Sequence, residues 1–200
     1  MALVFANNSS LANITALPSG ISGGALNLIS TQTASASATI DFTSGIDSSY
    51  DVYCFKFYDI HPQTDIVEFK VNFRDGGASF DATKTTTLFN AYHKENGTGE
   101  ALTYESSKDL AQSTGSQILS WNNGNDNDQS CVGSLFLYNP SSTTFVKHFI
   151  SRFSNYTQND YAHDIYIAGY CNTTNAIDGV QFSFSSGNID DGIIKMYGVS

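Results

Sequence analysis

The sequence predicts an all-β fold, an antiparallel β-sandwich of two sheets with jelly-roll-like connections. The clearest evidence is the segment Ile66–Phe73, in which Val67, Phe69, Val71 and Phe73 share one face and polar residues occupy the other. This period of two is typical of a half-buried strand. About a dozen such segments alternate with turn signals along the chain. Charged residues are only 14% of the composition, and the abundant Ser, Thr, Asn and Gly favour exposed sheets and turns over helices.

Several segments are apolar on both faces, and we interpret them as inner strands or as strands in contact with a partner: Tyr50–Ile60, Ser134–Tyr138, Thr144–Phe153 and Ile165–Cys171. Alternation recurs in 180–186, and less regular strands are predicted at 25–30, 36–43, 88–93, 101–106, 117–121 and 192–198. Pro140 in the turn 139–142 indicates a hairpin between two of these strands. Only Tyr104–Ser113 has any helical character, with few apolar residues to dock it.

The chain divides into an N-terminal arm, residues 1–24, and a β-sandwich domain, residues 25–200. The arm is small, polar and punctuated by Gly and Pro, but Leu11, Ile14 and Leu17 make it more apolar than a pure linker. Two interpretations stay open: a loose arm, or a docking segment that orders against a neighbouring subunit.

Charge and cysteine content exclude several classes of protein. The net charge of −10 repels phosphate, so we expect no nucleic-acid partner. The N-terminus lacks the pattern of a secretory signal, and no apolar stretch reaches membrane-spanning length, so we expect no membrane insertion. Cys54, Cys131 and Cys171 form no C-x-x-C pair and are predicted to be buried free thiols in a chain made in a reducing cytosol.

Catalytic signatures are missing from the sequence. It contains no G-x-S-x-G elbow, no H-E-x-x-H and no phosphate-binding P-loop, and its four glutamates lack the strand arrangement of sandwich-fold glycosidases. His163 and Asp164 are neighbours on a predicted strand, so their side chains are expected to point to opposite faces. We therefore expect a protein without enzymatic activity, cofactor or metal, with a glycan hydrolase as the remaining enzymatic alternative.

The most distinctive loop is Trp121–Ser130, which offers Trp121, Asn122, Asp126 and Asp128 as candidate glycan- or ion-binding residues. Trp121 would stack on a sugar while amides and carboxylates accept hydrogen bonds, and alternating Asp and Asn are suited to calcium. The spacing matches no known calcium loop, and a solvated hairpin tip is the simpler interpretation. Trp121 at the end of a core strand is another.

A second loop, Asn155–Tyr161, places Tyr156 and Tyr161 among Asn and Asp. This mixture suits a surface that faces sugar, and it is also ordinary in exposed turns. The two tyrosines complete the set of candidate glycan-binding residues.

Five segments together resemble virion structural proteins of tailed bacteriophages, above all marine phages, which are usually described as tail-fibre or structural proteins. The segments are IHPQTD (60–65), AYH (91–93), GNDND (124–128), LYNPSSTTFVKHF (137–149) and the C-terminal SSGNID-GIIK-YG. The resemblance spans roughly residues 11–198. It implies a virion component that is assembled in the host bacterial cytoplasm and carried outside on the particle, and it brings no catalytic or binding residues with it.

From the resemblance and the residues we expect a virion structural protein exposed on the particle, either a tail fibre or appendage or a capsid decoration. It would attach to other virion proteins through residues 1–24 and form a homo-oligomer, a trimer by analogy. The alternative is a module of the tail that binds host-surface glycan.

Overall fold

A computed structural model describes residues 25–200, which form twelve β-strands in two antiparallel sheets. In chain order the strands are β1 Leu26–Thr33, β2 Ile40–Phe42, β3 Val52–Pro62, β4 Val67–Arg74, β5 Lys84–Lys94, β6 Glu100–Tyr104, β7 Gln117–Asn123, β8 Cys131–Tyr138, β9 Lys147–Tyr156, β10 Tyr161–Cys171, β11 Gly179–Phe184 and β12 Ile189–Val199. The large sheet has the order β1-β12-β3-β8-β9-β10-β5-β6, and the small sheet β2-β11-β4-β7. Within residues 25–200 no helix is long and apolar enough to cross a bilayer.

The connections confirm the jelly-roll-like sandwich. After each strand of the small sheet (β2, β4, β7 and β11) the chain returns to the large sheet. This shuttling between two facing antiparallel sheets is the arrangement of a jelly roll. The antiparallel hairpins β8–β9–β10 widen the large sheet at its centre, and β12 and β1 extend it at one edge.

The core fills the space between the sheets with aromatic side chains. Phe57 of the large sheet lies 5.7 Å from Phe69, 4.9 Å from Phe182 and 4.8 Å from Phe153, measured between ring centroids. The first two of these pairs join the two sheets, and such contacts add about 0.5–1.5 kcal/mol each beyond the burial of apolar area. The alternating pattern of β4 thus has its expected role, because its apolar face forms part of this core.

The expected helical character of Tyr104–Ser113 is wrong. A turn joins the Lys108 N–H to the Glu105 carbonyl at 3.0 Å, and the chain then runs extended along β5. The Thr86 N–H donates to the Leu110 carbonyl at 2.9 Å. Since the segment has few apolar side chains to bury as a helix, its backbone is satisfied instead by the free edge of β5 beyond β6.

Candidate functional site

A recess of about 240 Å³ lies where β7, at the edge of the small sheet, faces β5 and β10 of the large sheet. We call it the aromatic cleft. Its rings belong to Tyr92, Trp121, Tyr161 and His163. Polar groups complete the lining: Asn90, Glu105, Asn122, Thr157 and Asn159.

The rings are gathered around His163. Its imidazole centroid lies 5.4 Å from that of Trp121, 5.8 Å from Tyr92 and 6.2 Å from Tyr161. Tyr92 of β5 and His163 of β10 are directly opposite each other in the antiparallel pair. Both side chains lie on the face of the large sheet that is turned towards the small sheet. Aromatic rings from β5 and β10 of the large sheet therefore meet an aromatic ring from β7 of the small sheet.

His163 is buried and carries no charge at neutral pH. Only 7% of the residue is exposed, and its Nδ1 has no hydrogen-bond partner in the part of the chain that the structure describes. Burial lowers the pKa of His163 to about 4, although the nearby Glu105 carboxylate acts in the opposite direction. Asp164 points to the other face of the sheet, where it accepts from Arg152 at 2.8 Å, and this confirms that the two neighbouring side chains diverge.

Trp121 is a core residue of β7 with 6% of its surface exposed, which confirms the interpretation that it belongs to the end of a core strand. Its carbonyl accepts from Asn155 Nδ2 at 2.9 Å, which ties β7 to β9. The Lys108 ammonium lies 5.2 Å from the centroid of the indole. The indole is thus fixed on several sides while its edge reaches the cleft.

The polar lining of the cleft is rich in hydrogen-bond acceptors. The Thr103 hydroxyl lies 2.8 Å from Asn90 Oδ1 and 2.7 Å from Glu105 Oε1, and its single proton serves only one of them at a time. This leaves the Asn90 and Glu105 oxygens with fewer donors than they can accept, and the nearby Nδ1 of His163 has no partner in residues 25–200.

The structure brings three of the six predicted site residues into the cleft: Trp121, Asn122 and Tyr161. Asp126 and Asp128 are exposed in the loop that follows β7, and Tyr156 is half-buried, with its hydroxyl 3.1 Å from Asp160 Oδ1. Between residues 25 and 200 no three His, Cys, Asp or Glu side chains come together as a metal-binding group. Binding by any of the six stays a prediction.

Sequence reasoning missed Tyr92, His163, Asn90 and Glu105. The inward-facing positions of β5 are Lys84, Thr86, Leu88, Asn90 and Tyr92, and the first four are buried. Because most of these buried positions are polar, the pattern of β5 carries no signal of where the cleft begins. The three cysteines, by contrast, are buried free thiols, as predicted.

A second candidate surface is the side of the large sheet that faces away from the small sheet, which we call the outer face. On it Phe136, Ile150 and Ala168 are neighbours across β8, β9 and β10. Beside them the rings of Phe89 and Tyr166 stack in parallel with centroids 4.9 Å apart. Ile150 is 49% exposed and Phe89 is 43% exposed. The outer face therefore carries groups of exposed apolar and aromatic side chains, with polar residues such as Lys56 and the Arg152–Asp164 pair between them, and nothing in residues 25–200 covers it.

No protein-family model matches the sequence, and no curated protein matches it significantly.

Proposed function

We propose that this protein is a non-enzymatic structural module of a phage virion, exposed on the particle as a tail fibre, appendage or capsid decoration, and that it assembles with copies of itself through the outer face. The observation that carries this proposal is the difference between the outward surfaces of the two sheets. Glu68, Lys70, Gln181 and Ser183 give the small sheet a polar exterior. The large sheet exposes contiguous apolar side chains instead, which monomeric proteins rarely do.

The outer face is large enough to hold a stable partner. Eight strands with ordinary spacing and rise give a surface of about 1,000 Å². A specific interface needs about 800 Å² from each partner. This face also explains why the central strands of the large sheet are apolar on both sides, since one side packs in the core and the other is available to a partner.

The distribution of charge favours a second copy as the occupant. The chain carries a net charge of −10, yet Lys56, Arg152 and Lys195 lie on the outer face in one line across the sheet. Arg152 is paired there with Asp164 at 2.8 Å, which leaves Lys56 and Lys195 to attract an acidic partner, and every copy of this chain is acidic. A trimer remains the expected number by analogy.

Mass measurement in solution tests assembly through the outer face. Wild type is expected to be oligomeric at micromolar concentration, and Ile150→Lys to weaken association by at least about tenfold. Gln181→Lys, which places the same charge on the small sheet, is the matched control and is expected to associate like wild type. A monomeric wild type, or equal association of all three proteins, would contradict the proposal.

Attachment to the particle is proposed to use residues 1–24, which lie outside the described residues. Removal of these residues is expected to leave a folded β-sandwich that no longer enters particles. Circular dichroism checks the fold, and immunodetection on purified particles checks incorporation. Normal incorporation of the shortened chain would refute the docking role.

A second proposed function is recognition of host-surface glycan by the same domain. It is favoured by the aromatic cleft, in which rings and hydrogen-bonding side chains converge as they do in small-molecule sites. Attachment to a particle and recognition of a host are compatible, because the cleft lies between the sheets and the outer face lies on the opposite side of β5 and β10.

A further inference from the structure

We infer that the aromatic cleft binds one uncharged terminal sugar residue of a glycan, packed against the ring pair of Tyr92 and Tyr161 and hydrogen-bonded by the polar side chains around them. This inference rests on the proposed glycan-binding function and specifies its site and ligand class. It also moves the site away from the loop of Asp126 and Asp128.

The size of the cleft selects a single ring. At about 240 Å³ it is smaller than the roughly 300–1,000 Å³ of pockets that hold drug-sized ligands. A chain of several sugars therefore does not fit inside. The end of a glycan does, with the rest of the chain extending into solvent past the exposed side chains of Asn122 and Asn159.

The lining matches the two surfaces of a sugar. A pyranose presents C–H groups on one side, which pack on aromatic rings, and hydroxyl groups around its rim, which donate and accept hydrogen bonds. Tyr92 and Tyr161 supply ring surface, with their centroids 5.7 Å apart and their planes at 76°. Asn90 and Glu105 supply acceptors that share one hydroxyl proton, and His163 adds a ring nitrogen that donates or accepts according to its tautomer. Hydroxyl groups of a ligand would supply the missing hydrogen bonds. Such binding is favourable because a buried polar group without a hydrogen-bond partner costs free energy.

Charge excludes acidic sugars. Glu105 is an anion in the lining, and His163 is neutral because its burial disfavours the protonated form. The two nearby ammonium groups lie outside the lining, with Lys94 5.2 Å from the Tyr161 centroid and Lys108 5.2 Å from the Trp121 centroid, and Lys108 also pairs with Glu68 at 3.8 Å. A carboxylate or sulfate entering the cleft would meet a like charge within a strongly acidic protein.

The site is rigid before any ligand arrives. The turn between β9 and β10 is closed by the Asp160 N–H donating to the Thr157 carbonyl at 3.0 Å. The Gln158 N–H donates to the Asn122 carbonyl at 3.0 Å, which fastens this turn to the end of β7. Because strands and a fastened turn position the lining, little ordering cost accompanies binding.

The test uses the full chain on an array of glycans that differ in their terminal residue, neutral or acidic. Wild type is expected to bind a subset with neutral termini. Trp121→Ala is unsuitable as the only variant, because truncating a buried tryptophan costs about 3–5 kcal/mol of stability. Tyr161→Ala, at a half-buried position, is expected to weaken binding by at least about tenfold while the protein stays folded.

Asn122→Gly and Asn139→Gly form a matched pair. Both asparagines are exposed and have positive φ, 54° and 46°, which glycine adopts readily, but only Asn122 lines the cleft. Asn122→Gly is expected to reduce binding and Asn139→Gly to leave it unchanged. If binding survives Tyr161→Ala and Asn122→Gly but is lost in Asp128→Asn or Tyr156→Phe, the cleft is the wrong site while glycan recognition stands. Preference for acidic termini also overturns the inference. Binding to no glycan on the array overturns glycan recognition itself.

Discussion

His163 is an imidazole held uncharged among three aromatic rings, and the Glu105 carboxylate nearby favours its protonation. Its Nδ1 lacks a partner among residues 25–200. A buried group of this kind is tolerated because the neutral ring packs like an aromatic side chain. The cost appears when the ring must take up a proton.

His163 should make stability depend on pH below neutrality. Its folded-state pKa of about 4 lies below the ordinary value of 6.5, so the unfolded chain binds the proton first as pH falls. The stabilising contribution is complete above about pH 6.5 and is lost as pH falls towards 4, by up to about 3 kcal/mol. Urea unfolding at pH 7 and pH 4.5 measures it. His163→Phe is expected to flatten the difference, and His93→Gln, at an exposed histidine, to keep it. If His163→Phe and wild type showed the same pH dependence of stability, His163 would not be its source.

At the scale of single elements, period-two patterning predicted most strands, and the hairpin at Pro140 joins β8 to β9 as expected. The order of the strands within the sheets could not be predicted from the sequence. Strand β3 pairs with β8, and β5 pairs with β10, although long stretches of chain separate the partners. Patterning specifies which side of a strand is buried, and it carries no information on which neighbour buries it.

The bulged pairing of β12 with β3 depends on Gly192. This residue has a φ of +125°, and a Cβ there would lie 2.9 Å from the Asp59 carbonyl oxygen and 2.7 Å from Ile60 Cδ1. Neither the left-handed conformation nor the close approach of the backbone is available to other residues at low cost.

Gly192→Ala is expected to lower the free energy of unfolding by more than about 2 kcal/mol, through backbone strain and steric overlap together. Gly76→Ala separates the two effects, because Gly76 also has a positive φ, 93°, but open space where a Cβ would go. Its cost is expected to be about 1 kcal/mol. Denaturant unfolding compares the two variants. Equal losses would show that the contact with β3 is unimportant.

For the whole molecule, composition and patterning were enough to predict two antiparallel layers, and the structure confirms them. The candidate site was predicted in part. Trp121 and Tyr161 drew attention as aromatic residues among polar ones, but Tyr92 and Glu105 come from distant segments. A cleft assembled from four parts of the chain becomes visible only when the topology is known. His163 was considered as a neighbour of Asp164, whereas its true neighbours lie across the sheet and in β7.

The proposed assembly would account for the apolar strands of the large sheet. One side of each strand packs against the small sheet, and the other presents side chains such as Phe136 and Tyr166 on the outer face. The central claim is that this face is covered by another copy of the chain in the assembled protein.

Hydroxyl-radical footprinting of the assembled protein tests that claim most directly, with the Ile150→Lys variant as the dissociated reference. We expect Phe89, Phe136 and Tyr166 on the outer face to be oxidised much more slowly in the assembly than in the variant. Ile66, which is exposed beside the small sheet, should react equally in both. Equal oxidation of the outer-face aromatics in assembled and dissociated protein would contradict the account.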